Sequence, residues 1–288
     1  MEINFCGIKD ISINDAKFLI IPIPYESTSS FKSGTKFAPL WIIHASEQLE
    51  LFDEEVGKEI YKVGIKTLPP ITPDCEGPSK MVDKIKRCIE RYLKREKIII
   101  GIGGEHTITV GILYGFLKKY NSLKILHLDA HGDLRNEYQG TKFSHACVIR
   151  RILEKGCDIF SVGVRSLSME EWEFLKSERN IKVYFANLIE DLEKISKNLP
   201  SGDYYITIDA DFFDPSLFPE VSVPEPGGFG WFQSLKFLKN FIMRKDINIV
   251  GFDFVELSPS SPASNCCYIA SKLIYKLIGY IGIKNGEI

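Results

Sequence analysis

The sequence lacks the patterns that mark disulfide-bonded, secreted and nucleic-acid-binding proteins. None of its seven cysteines forms a C-x-x-C pair, which argues against a disulfide framework or a cysteine zinc site. The first fifteen residues contain no basic start followed by an apolar run, so we predict no signal peptide. The formal net charge is -2, and Lys and Glu are interspersed. This balance favours a small-molecule substrate over nucleic acid as the partner.

Long apolar runs are missing as well. No apolar stretch approaches the ~18 residues of a membrane span, and no linker, low-complexity tract or repeat divides the chain. We therefore expect a soluble, unprocessed, cytoplasmic protein that binds neither a membrane nor nucleic acid. The chain has 288 residues, of which 44% are hydrophobic and 26% are charged, and this composition suffices for a sizeable core.

Short apolar runs alternate with longer amphipathic runs, a pattern typical of a parallel sheet with helices on both faces. The predicted strands are Phe18–Ile23, Lys97–Ile102, Lys124–Leu128, Asp158–Val164, Ile181–Phe185, Tyr204–Ile208 and Ile247–Phe254. The predicted helices are Ser79–Arg95, His145–Glu154, Met169–Glu178, Asn187–Asn198, Gln233–Met243 and Ala263–Ile281. We predict one three-layer α/β/α domain over residues 1–288, with a central, mainly parallel sheet and surface loops at Pro69–Pro78 and Val221–Gly230.

Acidic and histidine side chains follow four of the predicted strands. They are, in chain order, Glu105 and His106; Asp129, His131 and Asp133; Asp209 and Asp211; and Glu256. In open α/β sheets, ligands bind outside the carboxyl ends of the strands. We therefore expect these side chains to meet at one edge of the sheet.

Four aspartates gathered at one point would repel one another, and this repulsion calls for cations. Two divalent ions would offset the aspartates of the D-A-H-G-D and D-A-D segments, and two histidines would add neutral nitrogen ligands. An oxygen-rich site with few imidazoles and no thiolate suits hard ions. Mn²⁺ is our first choice, while zinc, cobalt or iron could occupy the same ligands in vitro.

Four segments resemble, in order, the signatures of the arginase/agmatinase ureohydrolases. They are GGEHTITVG, HLDAHGDLRNEYQGTKFSHACVIRRI, TIDADFFDPSLFPEVSVPEPGGF and FDFVELSP. An earlier segment, PYESTSSFKSGTKFAPLWIIHAS, resembles the N-terminal loop and helix of agmatinases in particular, so the resemblance covers nearly the whole chain. It implies the arginase-like α/β/α fold and a manganese-dependent amidino hydrolase, with agmatinase as the first choice.

The resemblance also implies roles for individual residues. One Mn²⁺ would be held by His106, Asp129, Asp133 and Asp209, and the other by Asp129, His131, Asp209 and Asp211. The two ions of each subunit would share a hydroxide as the nucleophile. Glu256 would bind the guanidinium group through two parallel hydrogen bonds. His145 would contact the substrate and carry a proton to the leaving amine, and Asp133 counts with these two as catalytic.

Several nearby residues have plainer interpretations. A lone Asp after a strand is most often a cap or turn residue, and we interpret Asp214 in this way. We interpret His127 as a hydrogen-bonded interior histidine and Glu105 as a structural residue rather than a ligand. For His145, a role as only a substrate contact or a structural group stays open. The spacing G-x-G-G-E-H favours a tight turn over a phosphate-binding loop.

The sequence leaves the choice of substrate open. The resemblance of DLRNEYQGTKFSHA to agmatinases favours agmatine, while aminopropylagmatine, guanidinobutyrate and arginine remain alternatives. Arg135 and Glu137 lie in this same loop, so its charge does not choose among these compounds. Departures from the family pattern at Phe218, Pro219 and Glu220 put the pocket shape in question.

Two other classes of function stay open, namely a different dimetal hydrolase and a noncatalytic relative that binds or regulates. The complete set of metal-binding positions argues against the noncatalytic class, because such relatives usually lose ligands. The family resemblance implies a homo-oligomer, either a trimer or a hexamer.

Overall fold

The apolar runs of the sequence form eight strands of one sheet, in which every strand pair is parallel. A computed structural model describes residues 4–93 and 97–288. Its strands are β1 Phe18–Ile23, β2 Phe52–Asp53, β3 Lys58–Glu59, β4 Ile65–Thr67, β5 Ile98–Gly103, β6 Lys124–Leu128, β7 Asp158–Val164, β8 Ile181–Phe185, β9 Gly202–Asp209 and β10 Ile247–Val255. The sheet order is β4-β1-β5-β10-β9-β6-β7-β8, and β2 and β3 form a separate hairpin.

Helices cover both faces of this sheet. They are α1 Ala38–Ser46, α2 Pro78–Leu93, α3 Thr107–Phe116, α4 Val148–Leu153, α5 Met169–Leu175, α6 Leu192–Asn198, α7 Trp231–Ile242 and α8 Asn265–Lys284. Because successive strand residues point to opposite faces, Ile20 packs in a core shared with α1, α6, α7 and α8. Its neighbour Ile21 packs in a second core, shared with α2, α3 and α4. The predicted three-layer α/β/α architecture is confirmed.

The predicted elements are present, with shifted ends. The helix predicted from Asn187 begins only at Leu192, because the Asp191 carboxylate caps it by accepting a hydrogen bond from the Glu193 N–H at 2.8 Å. The predicted end of the first helix, at residues 94–95, lies outside the described residues. The prediction missed α3 because the sequence TITVGILYGF has no polar face and almost the whole helix is buried.

The last helix corrects one expectation drawn from the sequence. By length and composition, α8 could cross a membrane, and it is the only such helix among residues 4–93 and 97–288. The expectation that no stretch approaches this length was therefore wrong. However, 78% of its apolar window is buried inside the protein, and side chains such as Leu273 and Ile278 are fully buried. Packing against the sheet accounts for the apolar character of this helix.

The strand order determines where the polar strand ends meet. The four strands that carry the predicted site residues, β5, β10, β9 and β6, are consecutive neighbours in the middle of the sheet. Since they are parallel, their carboxyl ends lie at the same edge. The fold therefore places the four sequence segments side by side although up to 150 residues separate them along the chain.

Candidate active site

The structure brings the six predicted metal ligands together at this edge. His106 Nδ1 lies 3.0 Å from Asp133 Oδ2, 3.2 Å from Asp129 Oδ2 and 3.5 Å from Asp209 Oδ2. On the outer side, His131 Nδ1 lies 2.8 Å from Asp211 Oδ2 and 3.7 Å from Asp129 Oδ1. The two oxygens of Asp129 therefore face two different histidines, as a carboxylate that bridges two ions would require.

Local backbone contacts aim these carboxylates. Asp211 Oδ1 accepts a hydrogen bond from the Ala130 N–H at 2.9 Å, and Asp209 Oδ1 accepts one from the Asp211 N–H at 2.9 Å. In both residues the other oxygen is left to face the histidines. Asp133 adopts a left-handed backbone, with φ at 52°, a conformation that costs energy for a residue with a side chain and is typical of functional sites.

Gly104 explains how His106 reaches the cluster. A Cβ atom added at this glycine would lie 2.0 Å from the carbonyl oxygen of Tyr25, so no other residue fits without displacing the backbone. The chain turns here from β5 into α3, which begins directly after His106. The G-x-G-G-E-H segment is a tight turn, in agreement with the interpretation from its spacing.

The donor set fits cations. Asp133 and Asp209 are buried, and burial followed by repulsion from neighbouring carboxylates raises the pKa of both side chains. His106 Nδ1 is buried and has no hydrogen-bond partner among the described residues, although it faces three carboxylates. Bound cations would offset the repulsion and give this nitrogen lone pair a partner.

The tautomer of His106 suits this role. Its Nε2 lies 2.9 Å from Thr207 Oγ1, and the Thr207 hydroxyl donates to Asp253 Oδ1 at 2.6 Å. Because a hydroxyl has one proton to donate, Thr207 accepts from Nε2–H, so in the neutral ring Nδ1 carries the lone pair that faces the cluster. Thr207 and Asp253 were missed by the sequence analysis. Their only signal is that they are polar residues in strands that are otherwise apolar.

His127 lies beside the cluster with both ring nitrogens engaged. Its Nδ1 is 2.9 Å from Ser161 Oγ, and its Nε2 is 2.8 Å from Asp129 Oδ2. Its position could also serve a metal ion together with His106, Asp129 and Asp133. Since both nitrogens already have partners, we keep the interpretation of an interior histidine that holds Asp129 in place.

The cluster opens into a cavity of about 280 Å³ that is also lined by His145 and Glu256. Glu256 is buried, has a left-handed backbone with φ at 63°, and accepts hydrogen bonds from the His106 N–H and the Ser222 hydroxyl. Burial raises its pKa to about 8. A carboxylate has about four acceptor positions, so this fixed group retains capacity for a planar N–H donor in the cavity.

The segment that departs from the family pattern lies mostly behind the cavity. Phe218 packs against Phe213 and Phe254, with ring centroids 5.0 Å and 5.8 Å away. Glu220 accepts hydrogen bonds from the hydroxyls of Ser260 and Ser264. Neither Phe218 nor Glu220 lines the cavity, so these two departures act on the pocket shape only through the residues that they contact.

The predicted surface loop Val221–Gly230 begins in the interior. Val221 and Ser222 are buried, and Val221 pairs with Leu257 beside β10. Ser222 and Val223 both line the cavity. The assignment of this segment to the surface was wrong at its first two residues, because its backbone pairs next to Glu256, and at Phe229, which is buried as well.

Comparisons with known proteins agree with this geometry. The sequence profile of the arginase family matches residues 16–279. A Synechocystis protein named N(1)-aminopropylagmatine ureohydrolase is 34% identical over 281 residues, which cover 94% of this chain and 91% of that protein. An agmatinase of Pyrococcus horikoshii is 34% identical over 277 residues, 93% of each chain. The structure of the agmatine ureohydrolase of Thermoplasma volcanium superposes with a TM-score of 0.88 at 30% identity, over 96% of this chain and 94% of that chain.

Proposed function

We propose that this chain, which belongs to the arginase family, converts agmatine and water to putrescine and urea. The chain is a hydrolase that acts on amidino carbon–nitrogen bonds. The observation that carries this proposal is the shared cavity. A cluster of four buried aspartates, the buried His106 and the partly exposed His131 opens onto the same space as the buried carboxylate of Glu256. A cation-binding cluster and a guanidinium acceptor thus face one substrate.

We propose that two Mn²⁺ ions would be held by the side chains of His106, Asp129, His131, Asp133, Asp209 and Asp211. The oxygen-rich donor set and the absence of cysteine among these residues favour a hard ion. When bound, such a pair of ions supplies a strongly nucleophilic water-derived oxygen at neutral pH. A role in polyamine biosynthesis is part of this proposal, because its product would be putrescine. A cytoplasmic location and assembly into a homo-oligomer stay predictions from the sequence.

The residues of the chain supply orientation and proton transfer. Glu256 accepts two parallel N–H bonds from the guanidinium group, and its own fixed contacts with Ser222 and the His106 N–H hold the substrate carbon in place. Water adds its oxygen to that carbon and gives up both of its protons, and the bond to the alkyl nitrogen breaks. That nitrogen gains two protons in all and leaves as the alkylammonium, and urea is the other product. His145, at the cavity wall, gives the proton that the leaving amine requires.

Glu225 is the group best placed for the far end of agmatine, which carries an ammonium. Apart from the predicted ligands and Glu256, two carboxylates among the described residues line the cavity, Glu171 and Glu225. Both oxygens of Glu171 already accept hydrogen bonds, from the Leu134 N–H and from Ser168. The Glu225 side chain is 30% exposed, and among the described residues its one ionisable partner within 4 Å is His131, whose Nε2 lies 3.8 Å away.

Arg165 fixes the backbone that carries Glu225. Its guanidinium donates to the carbonyl oxygens of Glu225 at 3.0 Å, Pro226 at 2.9 Å and Asp211 at 2.6 Å. The cavity mouth also contains a cation, Arg135, whose guanidinium lies 5.0 Å from the Tyr138 ring centroid. Glu225 and Arg135 thus form a pair of cavity residues of opposite charge, and replacing each in turn tests which end group of the substrate the pocket prefers.

Replacing Glu225 by Gln should lower the preference for agmatine over butylguanidine, which has no terminal ammonium. We expect kcat/KM for agmatine to fall about fivefold, the effect of one partly exposed ion pair, with butylguanidine unchanged. Arg135→Gln serves as the control and should not reduce the preference. If Glu225→Gln lowered kcat/KM equally for agmatine and butylguanidine, Glu225 would act through His131 and not through contact with the ammonium group.

A second candidate substrate is N(1)-aminopropylagmatine, since the Synechocystis relative and two Thermus thermophilus relatives carry that name. Urea release by the Mn²⁺-loaded protein should be measured with agmatine, aminopropylagmatine, guanidinobutyrate and arginine. The proposal requires the highest kcat/KM for agmatine. A phosphate ester and an acetylated polyamine complete the screen, because cleavage of either one without urea release would indicate a different dimetal hydrolase.

A further inference from the structure

His145 is the proton donor of the proposed function, on which its role here rests, and several residues around it hold its ring. His145 begins a short 3-10 turn, His145–Cys147, twelve residues after Asp133 in the sequence. A proton donor must keep one ring nitrogen protonated and aimed at the leaving group. Proton transfer by His145 therefore also depends on the residues that orient its ring.

Thr28 makes the closest contacts with His145. Thr28 Oγ1 accepts a hydrogen bond from the His145 backbone N–H at 3.0 Å and lies 3.1 Å from its Nδ1. The two residues are 117 positions apart. Thr28 itself is almost fully buried, so water does not compete for its hydroxyl.

Glu105 determines the direction of that hydroxyl. Its Oε2 accepts from the N–H groups of Ser27 and Thr28, each at 2.6 Å, and its Oε1 lies 3.0 Å from Thr28 Oγ1. An ionised carboxylate can only accept, so the single hydroxyl proton of Thr28 goes to Glu105. The two acceptor positions of Thr28 Oγ1 are then left for the backbone N–H and the Nδ1–H of His145.

This arrangement selects one tautomer of the ring. Nδ1 carries a proton toward Thr28, and Ser144 Oγ, at 3.3 Å, can accept from the same nitrogen. Nε2 faces the other side, where Ser30 Oγ lies 3.4 Å away and the ring lines the cavity. Nε2 is therefore the nitrogen that takes up and releases the transferred proton.

We infer that Thr28 and Glu105 are positioning residues for proton transfer, which hold His145 with Nδ1–H turned inward and Nε2 turned toward the leaving amine. Neither residue touches the substrate. A side chain that fixes a catalytic histidine in this way raises activity about tenfold to a hundredfold. Glu105 contacts only other protein groups, but it acts on the chemical step because it orients the Thr28 hydroxyl.

The test compares Thr28→Val, which removes the hydroxyl at similar volume, with Thr28→Ser, which retains it. Both are measured as Mn²⁺-loaded full-length protein on agmatine and on its oxyguanidine analogue, in which an oxygen replaces the carbon next to the guanidine. The leaving alkoxyamine of the analogue is a weaker base and needs less help from a proton donor. We expect Thr28→Val to lower kcat for agmatine about tenfold to a hundredfold, with a much smaller loss on the analogue.

Thr28→Ser should stay within about twofold of the parent protein on both substrates. Equal losses on the two substrates in Thr28→Val would overturn the inference and give Thr28 a purely structural role. Glu105→Gln provides a second variant if Thr28→Val does not fold. The amide nitrogen that replaces Oε1 would donate a hydrogen bond to Thr28 Oγ1, so the Thr28 hydroxyl would turn away from residue 105. The same substrate-dependent loss of kcat is therefore expected in Glu105→Gln. If this loss were absent, the inference would be contradicted. Failure of the parent protein to hydrolyse either compound would instead refute the proposed function.

Discussion

Asp211→Asn should lower urea release from agmatine by about a thousandfold or more, since the activation of water by paired ions is worth several kcal/mol. The substitution keeps an oxygen that can accept from the Ala130 N–H, but it neutralises the carboxylate whose other oxygen faces His131 Nδ1. The fold should therefore persist while one of the two bound Mn²⁺ ions is lost. Steady-state urea release, metal content and circular dichroism measure the three effects.

Asp214→Asn is the matched control for this variant. Asp214 follows the same strand end by a few residues, but its Oδ1 accepts from the Ser216 N–H at 2.9 Å, as expected of the turn residue predicted from the sequence. Its replacement should leave both activity and metal content unchanged. Full activity in Asp211→Asn with two ions still bound would refute the assignment of Asp211 as a ligand.

The second large effect is expected for Glu256→Gln. The amide oxygen can still accept from the His106 N–H, but the amide nitrogen cannot accept a hydrogen bond from the guanidinium group. Loss of one hydrogen bond and of the negative charge that strengthens the other costs roughly 4 kcal/mol, so kcat/KM for agmatine should fall about a thousandfold. The Mn²⁺ content should stay at two ions per chain, because Glu256 is not among the predicted ligands.

The control for Glu256 is Glu220→Gln. Glu220 also accepts hydrogen bonds from serine hydroxyls, but these are Ser260 and Ser264, and Glu220 does not line the cavity. We expect its replacement to change activity by no more than about twofold. If Glu256→Gln lowered activity only as much as this control, the guanidinium group would have to bind elsewhere.

The six predicted ligands and Glu256 could be read from the sequence because each lies at the end of a short apolar strand. The carboxyl ends of neighbouring parallel strands meet at one edge, so local motifs such as D-A-H-G-D and D-A-D were sufficient. The family resemblance supplied the roles, and the profile match over residues 16–279 confirms the family. The roles of individual residues stay proposals.

The residues that hold the site could not be predicted in the same way. Thr28 reaches His145 across 117 positions, and Ser222 reaches Glu256 from a segment assigned to a surface loop. Thr and Ser occur throughout surface loops, so nothing in the local sequence distinguishes these two. Their roles depend on tertiary packing, as does α3, a buried helix without a polar face.

The most direct test of the account is to titrate metal-free protein with Mn²⁺ and to measure urea release from agmatine against the number of ions bound per chain. The account predicts no activity without metal and a rise that ends when two ions are bound, reversed by a chelator. Full urea release from protein that contains no bound metal would contradict it.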